Sequence, residues 1–342
     1  MDYKYLGNTG LGLSSVGFGT QTFGWNIFGK DAHRLLDIYA DAGGNYLDTA
    51  DSYNAGESEK TLGAWLKGRT DRQDLVIGTK TYFPTGNGPN RRGQSRKHIF
   101  HSVDESLRRL NVDAIDLYQY HCYDGAISLE ETLLTMESLV RAGKIRYFGI
   151  SNYTPSTMMK MIMMQRLAGR HPIASLQLEY SLLVRSPEWD LLPVCVNEGV
   201  GAIAWSPLGG GWLTGKYKRD QAPPENSRVG RKDRWEDQEE QRGGNRTWRI
   251  IDALQAVSEK RDVPMSQAAL NWLRKKEGVT TVLMGARSAE QLEANLGCVG
   301  WDMDDEDESL LDEASAVPTP SPYDFIGRYS RTADGGVPNS NP

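Results

Sequence analysis

Cysteine is scarce: the 342 residues hold three, Cys122, Cys195 and Cys298, far apart and odd in number. That excludes a disulfide framework and a cysteine-based zinc site, and it points to a reducing compartment, the cytoplasm. No run of about 18 apolar residues occurs, so no membrane span is expected. The opening stretch MDYKYLGNTG has neither a basic n-region nor an apolar h-region, so no secretory signal is expected either. Positive charge is also in deficit: 39 Lys and Arg stand against 45 Asp and Glu, a formal net charge of −6. Basic runs such as GRKDR (230–234) are broken by acids, and nucleic acid is not an expected partner. A Gly-rich dinucleotide turn is missing as well. GFGTQTFG (17–24) is not G-x-G-x-x-G opening a helix, which weakens the case for an open doubly wound sheet.

What the chain does contain is a rhythm. Short runs rich in Val, Ile, Leu and Tyr recur at 15–20, 45–49, 74–80, 114–121, 146–151, 174–180, 201–206 and 280–285, each followed by a turn and an amphipathic stretch. Strands without alternation are strands buried on both faces, as in a parallel sheet. Helices are predicted at 31–43, 96–111, 128–144, 154–169, 265–275 and 288–297, with another opening at GESE (56–59) and a solvated helix start in the acidic run at 302–308. Ser128 and Glu131 read as a capping box, Pro155 as a first helical residue, and Met158, Met159 and Ile162 as an inward stripe. Eight strand–helix units in about 300 residues predict an α/β fold, a closed (β/α)8 barrel.

Two segments break the rhythm. The first fourteen residues read as a hairpin turning at GNTG and capping the barrel bottom. Residues 209–246, after the seventh barrel strand, are Gly/Pro-rich and charged, a length of loop that is usually functional or disordered. We expect one barrel domain over residues 1–330 and a flexible tail over 331–342.

Barrel sites are built at the C-terminal ends of strands. Asp48 ends the second predicted strand and Tyr53 follows it; Lys80 ends the third and His121 the fourth. A lysine there is costly to bury unless paired, and Asp48 is a fitting partner. A charged ammonium beside a phenol favours the phenolate, so Tyr53 would release its proton below the ordinary value of about 10 and act as a general acid. His121 could orient the same substrate oxygen. The set has neither a nucleophile–base pair nor a metal cluster, so an electron pair would have to come from a hydride-donating cofactor. Each residue alone has a blander reading: Asp48 a helix cap, Tyr53 a packed aromatic, Lys80 a solvated strand end, His121 a structural histidine. Their joint placement at three successive strand ends favours catalysis.

At this point a resemblance appears. YLDTADSYNAGESEKTLGAWL (46–66) resembles the D-T-A-x-x-Y-x-x-G-x-S-E signature of the aldo-keto reductase superfamily. GTK (78–80), DLYQYHCYD (116–124), RAGKIRYFGISNYTP (141–155), QLEYSLL (177–183) and WSPLGGGWLTGKY (205–217) resemble further landmarks of that family, in order, over residues 3–330. The style is closest to the bacterial relatives of Shaker-type potassium-channel β subunits.

The resemblance implies NADPH-dependent reduction of aldehydes and ketones, with NADH a lesser cofactor, and a tetrad of Asp48, Tyr53, Lys80 and His121. It also implies cofactor contacts. Ser151, Asn152 and Gln177 would hold the carboxamide, Trp205 would stack on the nicotinamide ring, and Gly19, Thr20, Ser206, Pro207, Leu208 and Gly210 would line the dinucleotide. Lys216 and Arg228 would clamp phosphates from the long loop. Gly285, Arg287, Gln291 and Asn295 would take the adenosine end, with Arg287 as a planar fork on a 2′-phosphate. Arg287, Lys216 and Arg228 also read as plain surface charges. The pattern departs from the family at Ala294, where Glu is common, and at Cys122 and Tyr123 after the histidine. Loops bearing Phe23, Trp25, Tyr82, Phe83, Tyr123 and Trp212 predict an apolar, aromatic-lined substrate pocket, with Trp25, Tyr82 and Tyr123 its nearest walls. The rival readings are a redox-sensing NADP-binding regulatory subunit like the channel β subunits, and a barrel enzyme using Lys80 as a Schiff-base amine. A homo-oligomer fits either of the first two.

Overall fold

The eight predicted strands all form, each within two residues of its expected bounds. The computed structural model describes residues 1–225, 227, 230 and 243–330. A two-stranded antiparallel hairpin, β1 (Tyr3–Tyr5) and β2 (Gly12–Ser14), precedes the barrel. The barrel strands are β3 (Val16–Gly19), β4 (Tyr46–Asp48), β5 (Val76–Thr81), β6 (Ile115–Tyr120), β7 (Ile145–Ser151), β8 (Ser175–Glu179), β9 (Gly201–Trp205) and β10 (Val279–Met284). They run parallel and in chain order, and β10 pairs with β3 to close the ring.

Two apolar layers hold this together. The larger lies between barrel and helices, where Phe18, Leu36, Leu62, Ile99, Leu133, Ile162, Leu254 and Leu270 are among the buried side chains. The smaller plugs the barrel's lower end. There Leu6 and Leu13 of the hairpin meet Tyr46, Val76, Leu117, Ile203 and Leu283. Full burial of a leucine is worth about 1.5–3 kcal/mol, so the hairpin is a stabilising stopper.

The interior becomes polar toward the other end. Side chains alternate along a strand, so residues two apart share a face. Tyr46 therefore precedes Asp48 on the inner face, Val76 and Gly78 precede Lys80, Leu117 and Gln119 precede His121, and Ile203 precedes Trp205. Gly78 is needed because a Cβ there would meet the Tyr46 ring, with its hydroxyl oxygen 2.6 Å away.

The predicted helices form at Gly29–Asp41, Arg96–Leu110, Leu129–Arg141, Pro155–Leu167, Met265–Lys275 and Ala289–Leu296, and those opening at GESE and in the acidic run form at Glu57–Leu66 and Asp305–Ser315. Ser128 caps its helix by accepting from the Glu131 amide. The Glu131 carboxylate does not return the bond; it accepts from the Arg96 amide, so the capping box is half made. The buried stripe of Pro155–Leu167 is Met158, Met161, Ile162 and Gln165; Met159 is half-buried, one step off it. Helices Leu191–Glu198, Asn245–Arg261 and Tyr323–Tyr329 were not anticipated. Among the described residues no helix is long and apolar enough to cross a membrane.

Candidate active site

The inner-face residues at the upper rim converge. Lys80 and Asp48 are fully or almost fully buried and form an ion pair, and the Lys80 ammonium also donates to the Thr49 carbonyl at 2.8 Å. Burial works against the charge on Lys80, but Asp48 and Tyr53 outweigh it and hold its pKa above the ordinary value. The other Asp48 oxygen accepts from the Tyr46 hydroxyl at 3.1 Å and from the Gln177 amide at 2.9 Å. That leaves no bare charge in the interior, which is what a buried pair requires.

Tyr53 reaches the pair from a 3-10 turn, Tyr53–Gly56, that follows β4. Its hydroxyl receives a hydrogen bond from Lys80 Nζ at 3.4 Å, and the phenol is half-buried. The turn is strained: Asn54 and Ala55 have φ of 51° and 55°. Left-handed non-glycine residues cost about 1–3 kcal/mol and persist where surroundings over-determine them. Here the Asn54 amide donates to the carbonyls of Gln21 and Phe23, at 2.8 and 2.7 Å, and locks the turn to the loop after β3.

His121 follows β6, its amide on the Thr81 carbonyl at 3.0 Å. The imidazole packs edge-to-face on Tyr53, centroids 5.6 Å apart, and on Phe83, 4.8 Å apart. Burial, followed by the charge of Lys80, holds its pKa well below the ordinary value, so the ring is neutral at physiological pH. Lysine, phenol and neutral imidazole thus line one mouth, an arrangement suited to giving a proton to an oxygen and fixing its direction.

The predicted cofactor residues ring the same mouth. Gly19 ends β3, and Thr20 is committed to structure, its hydroxyl contacting the Asp48 carbonyl and Ser58. Ser151 ends β7; Asn152, at φ 59°, donates to the His121 carbonyl at 2.9 Å. Gln177 spends one amide hydrogen on Asp48, a tie that the sequence alone did not suggest. Trp205 ends β9 with a buried indole N–H that has no protein partner. Ser206 is left-handed at φ 56°, Pro207 and Leu208 follow, and Gly209, Gly210 and Gly211 all have positive φ. Lys216 lies over the Gly211 backbone and the Tyr217 ring. Arg228 lies outside the described residues.

On the adenosine side, the Gln291 side chain accepts from the Arg287 amide at 3.0 Å, and Asn295 turns toward the Gly285 carbonyl at 3.5 Å. A cleft of about 220 Å³ opens there, with Asn26, Asp31, Arg34, Arg287, Ser288 and Glu290 among its lining residues. It sits at the start of helix Ala289–Leu296, with two guanidiniums and the two carboxylates of Asp31 and Glu290 in its lining. Trp25 and Tyr123 are exposed at the rim, and Tyr82 is half-buried against Phe83. Sequence reasoning missed Asn54 and Gln94, whose roles depend on loops far apart in the chain. Among the described residues no group of three or more His, Cys, Asp or Glu could hold a metal ion.

Fold and rim together define a (β/α)8 barrel protein with its polar constellation at the C-terminal mouth. The sequence model of the aldo/keto reductase family matches residues 15–316. An aldo-keto reductase of Fusarium vanettenii is 31% identical over 347 aligned positions, covering 92% of this chain and 91% of the fungal protein. The chain belongs to the aldo/keto reductase family, oxidoreductases that reduce carbonyl groups.

Proposed function

We propose that the protein reduces aldehydes or ketones to alcohols, reversibly, with NADPH as the preferred nicotinamide cofactor and Tyr53 as the proton donor. One observation carries this: a buried, carboxylate-held ammonium, Lys80, directed at the hydroxyl of the half-buried Tyr53. When bound, a nicotinamide dinucleotide would supply the electron pair to the carbonyl carbon. Tyr53 gives its proton to the oxygen, and Lys80 offsets the negative charge that remains on the phenol. Asp48 keeps Lys80 charged. His121, neutral, donates from its imidazole and sets the direction of the carbonyl oxygen. A lysine held as ammonium is the reverse of what a Schiff-base amine needs, which disfavours that rival.

The residues fit the dinucleotide on three counts. The Trp205 N–H is orphaned and buried. Left-handed backbone at Asn152 and Ser206 turns the chain in the loops after β7 and β9. The cleft between Arg34 and Arg287 offers a second cation for a 2′-phosphate, which favours NADPH over NADH. Ser151, Asn152 and Gln177 would hold the nicotinamide end, with Lys216 on the phosphates. The three unpaired cysteines agree with a cytoplasmic setting.

Tyr53→Phe tests the reading. Turnover of a carbonyl panel should fall about 10²–10⁴-fold, the share of a positioned general acid, while NADPH binding followed by fluorescence is unchanged. Undiminished turnover would remove Tyr53 from the chemistry.

A further inference from the structure

A histidine that orients a substrate needs its own orientation fixed, ordinarily by a hydrogen bond to the ring nitrogen facing away from the substrate. His121 has no such bond. Its Nδ1 is buried and without a partner. Two rings pack on the imidazole, those of Tyr53 and Phe83, both edge-to-face.

Phe83 belongs to the loop between β5 and helix Arg96–Leu110, and that loop is fastened around His121 at both ends. At one end the Phe83 ring packs on the imidazole and is met by the ring of its chain neighbour Tyr82 at 5.3 Å and 81°. At the other, Gln94 is buried and donates to the Cys122 carbonyl at 2.5 Å and to the Tyr153 hydroxyl at 2.9 Å. The Gln94 amide donates to Asp124 at 2.9 Å, and the Gly93 amide closes back on the Tyr82 carbonyl at 2.8 Å. The loop therefore grips the segment His121–Asp124 through a ring contact and a pair of hydrogen bonds.

We propose that the Tyr82–Gln94 loop is the positioning device for His121, with Phe83 holding the imidazole in place and away from water, and Gln94 anchoring the loop beside it. Phe83 is a positioning residue: it acts through His121. This rests on His121 orienting the substrate. The groups that face the imidazole are Lys80 from β5, the charge that acts on it, and the Tyr53 phenol from the turn after β4. Arg92, Asp124 and Cys122 act on the neighbouring Tyr82 ring instead.

The test is long-range ¹H–¹⁵N NMR of the full-length protein, assigned with His121→Gln, beside pH profiles of kcat/KM. In the unaltered protein His121 should stay neutral, in one tautomer, to a pH well below the ordinary imidazole value of about 6.5. In Phe83→Ala the ring should titrate nearer the ordinary value of about 6.5 and populate both tautomers, and an acid limb should appear in kcat/KM. Phe83→Leu, which restores apolar cover, should move both readouts back. Gln94→Ala should shift them in the same direction by less. If Phe83→Ala is too unstable to measure, the Gln94→Ala shift alone decides. An His121 titration and tautomer unaltered in Phe83→Ala, or in Gln94→Ala when that variant decides, overturns the proposal. If instead His121→Ala leaves turnover intact, the functional reading fails while the NMR result still judges the clamp.

Discussion

Asp51 lies two residues before Tyr53 and is almost fully buried. One of its oxygens accepts from the Ser102 hydroxyl at 2.5 Å; the other is buried with no partner. Burial pushes its carboxyl up to about 7, with the Ser102 bond opposing and the nearby Glu59 adding to the rise. Between the ordinary value of 3.8 and about 7 the folded chain keeps a proton that the unfolded chain has lost. Stability therefore falls as pH rises through this window, by about 1.4 kcal/mol per unit, to a loss of a few kcal/mol at pH 8. Asp51→Asn keeps the shape and the Ser102 bond and removes the titration. Urea unfolding should show the variant about 2–4 kcal/mol more stable at pH 8, with the gain fading toward pH 4; a gain that is flat with pH would refute the account. Asp48, Lys80 and His121 were readable in the sequence because strand parity and the rule of strand ends place them on one rim. Tyr53 was readable as the phenol in the loop that leaves the Asp48 strand end beside a paired lysine, and its motif agrees. Asp51 and Gln94 were not, because their roles depend on Ser102, Cys122 and Tyr153, partners set by packing rather than by any local pattern.

Helices around a barrel need close crossings, and Gly63 makes one. It lies within Glu57–Leu66, and a Cβ there would overlap the Arg109 carbonyl and approach the Leu110 backbone at 2.8 Å, near the end of helix Arg96–Leu110. In an exposed helix Gly→Ala gains about 1 kcal/mol. Here the obstacle is backbone that cannot swing aside, so the sign reverses. Gly63→Ala should lose about 1–3 kcal/mol in urea unfolding, the usual cost of overpacking, and a stabilised variant would show that the helices part easily. The strands were the most legible elements because burial on both faces writes an unbroken apolar run. Helix Asn245–Arg261 was not legible, because it starts on Gly244 with no side-chain cap and follows a stretch of sequence without apolar periodicity. Leu191–Glu198 carries Pro193 within eight residues and looks like a break. Met161, not Met159, completes the stripe of its helix, since three- and four-residue steps from Met158 reach Met161 and Ile162.

At the scale of the molecule, a closed ring of parallel strands has no edge at which to come apart, and its lower end is sealed by the hairpin. Arg274 ties this end together. It is almost fully buried, pairs with Asp2 at 2.8 Å and Asp302 at 3.3 Å, and donates to the carbonyls of Cys298 and Trp301. Lys4, from the hairpin, donates to the Arg274 and Val279 carbonyls at 2.7 and 2.9 Å. First strand, last strand and C-terminal helices thus share one group of contacts. We propose that residues 1–330 unfold as a single unit for this reason. Calorimetry should give one transition whose calorimetric and van't Hoff enthalpies agree, or one scan-rate-dependent transition if unfolding is irreversible. Arg274→Met keeps the length of the side chain, removes both ion pairs and leaves the Cys298 and Trp301 carbonyls to the Asn271 amide alone, a loss of about 1–3 kcal/mol. That loss should lower the whole transition without splitting it. A separate low-temperature transition for the N-terminal segment, in either protein, would mean that the hairpin is an appendage and that the barrel closes without it.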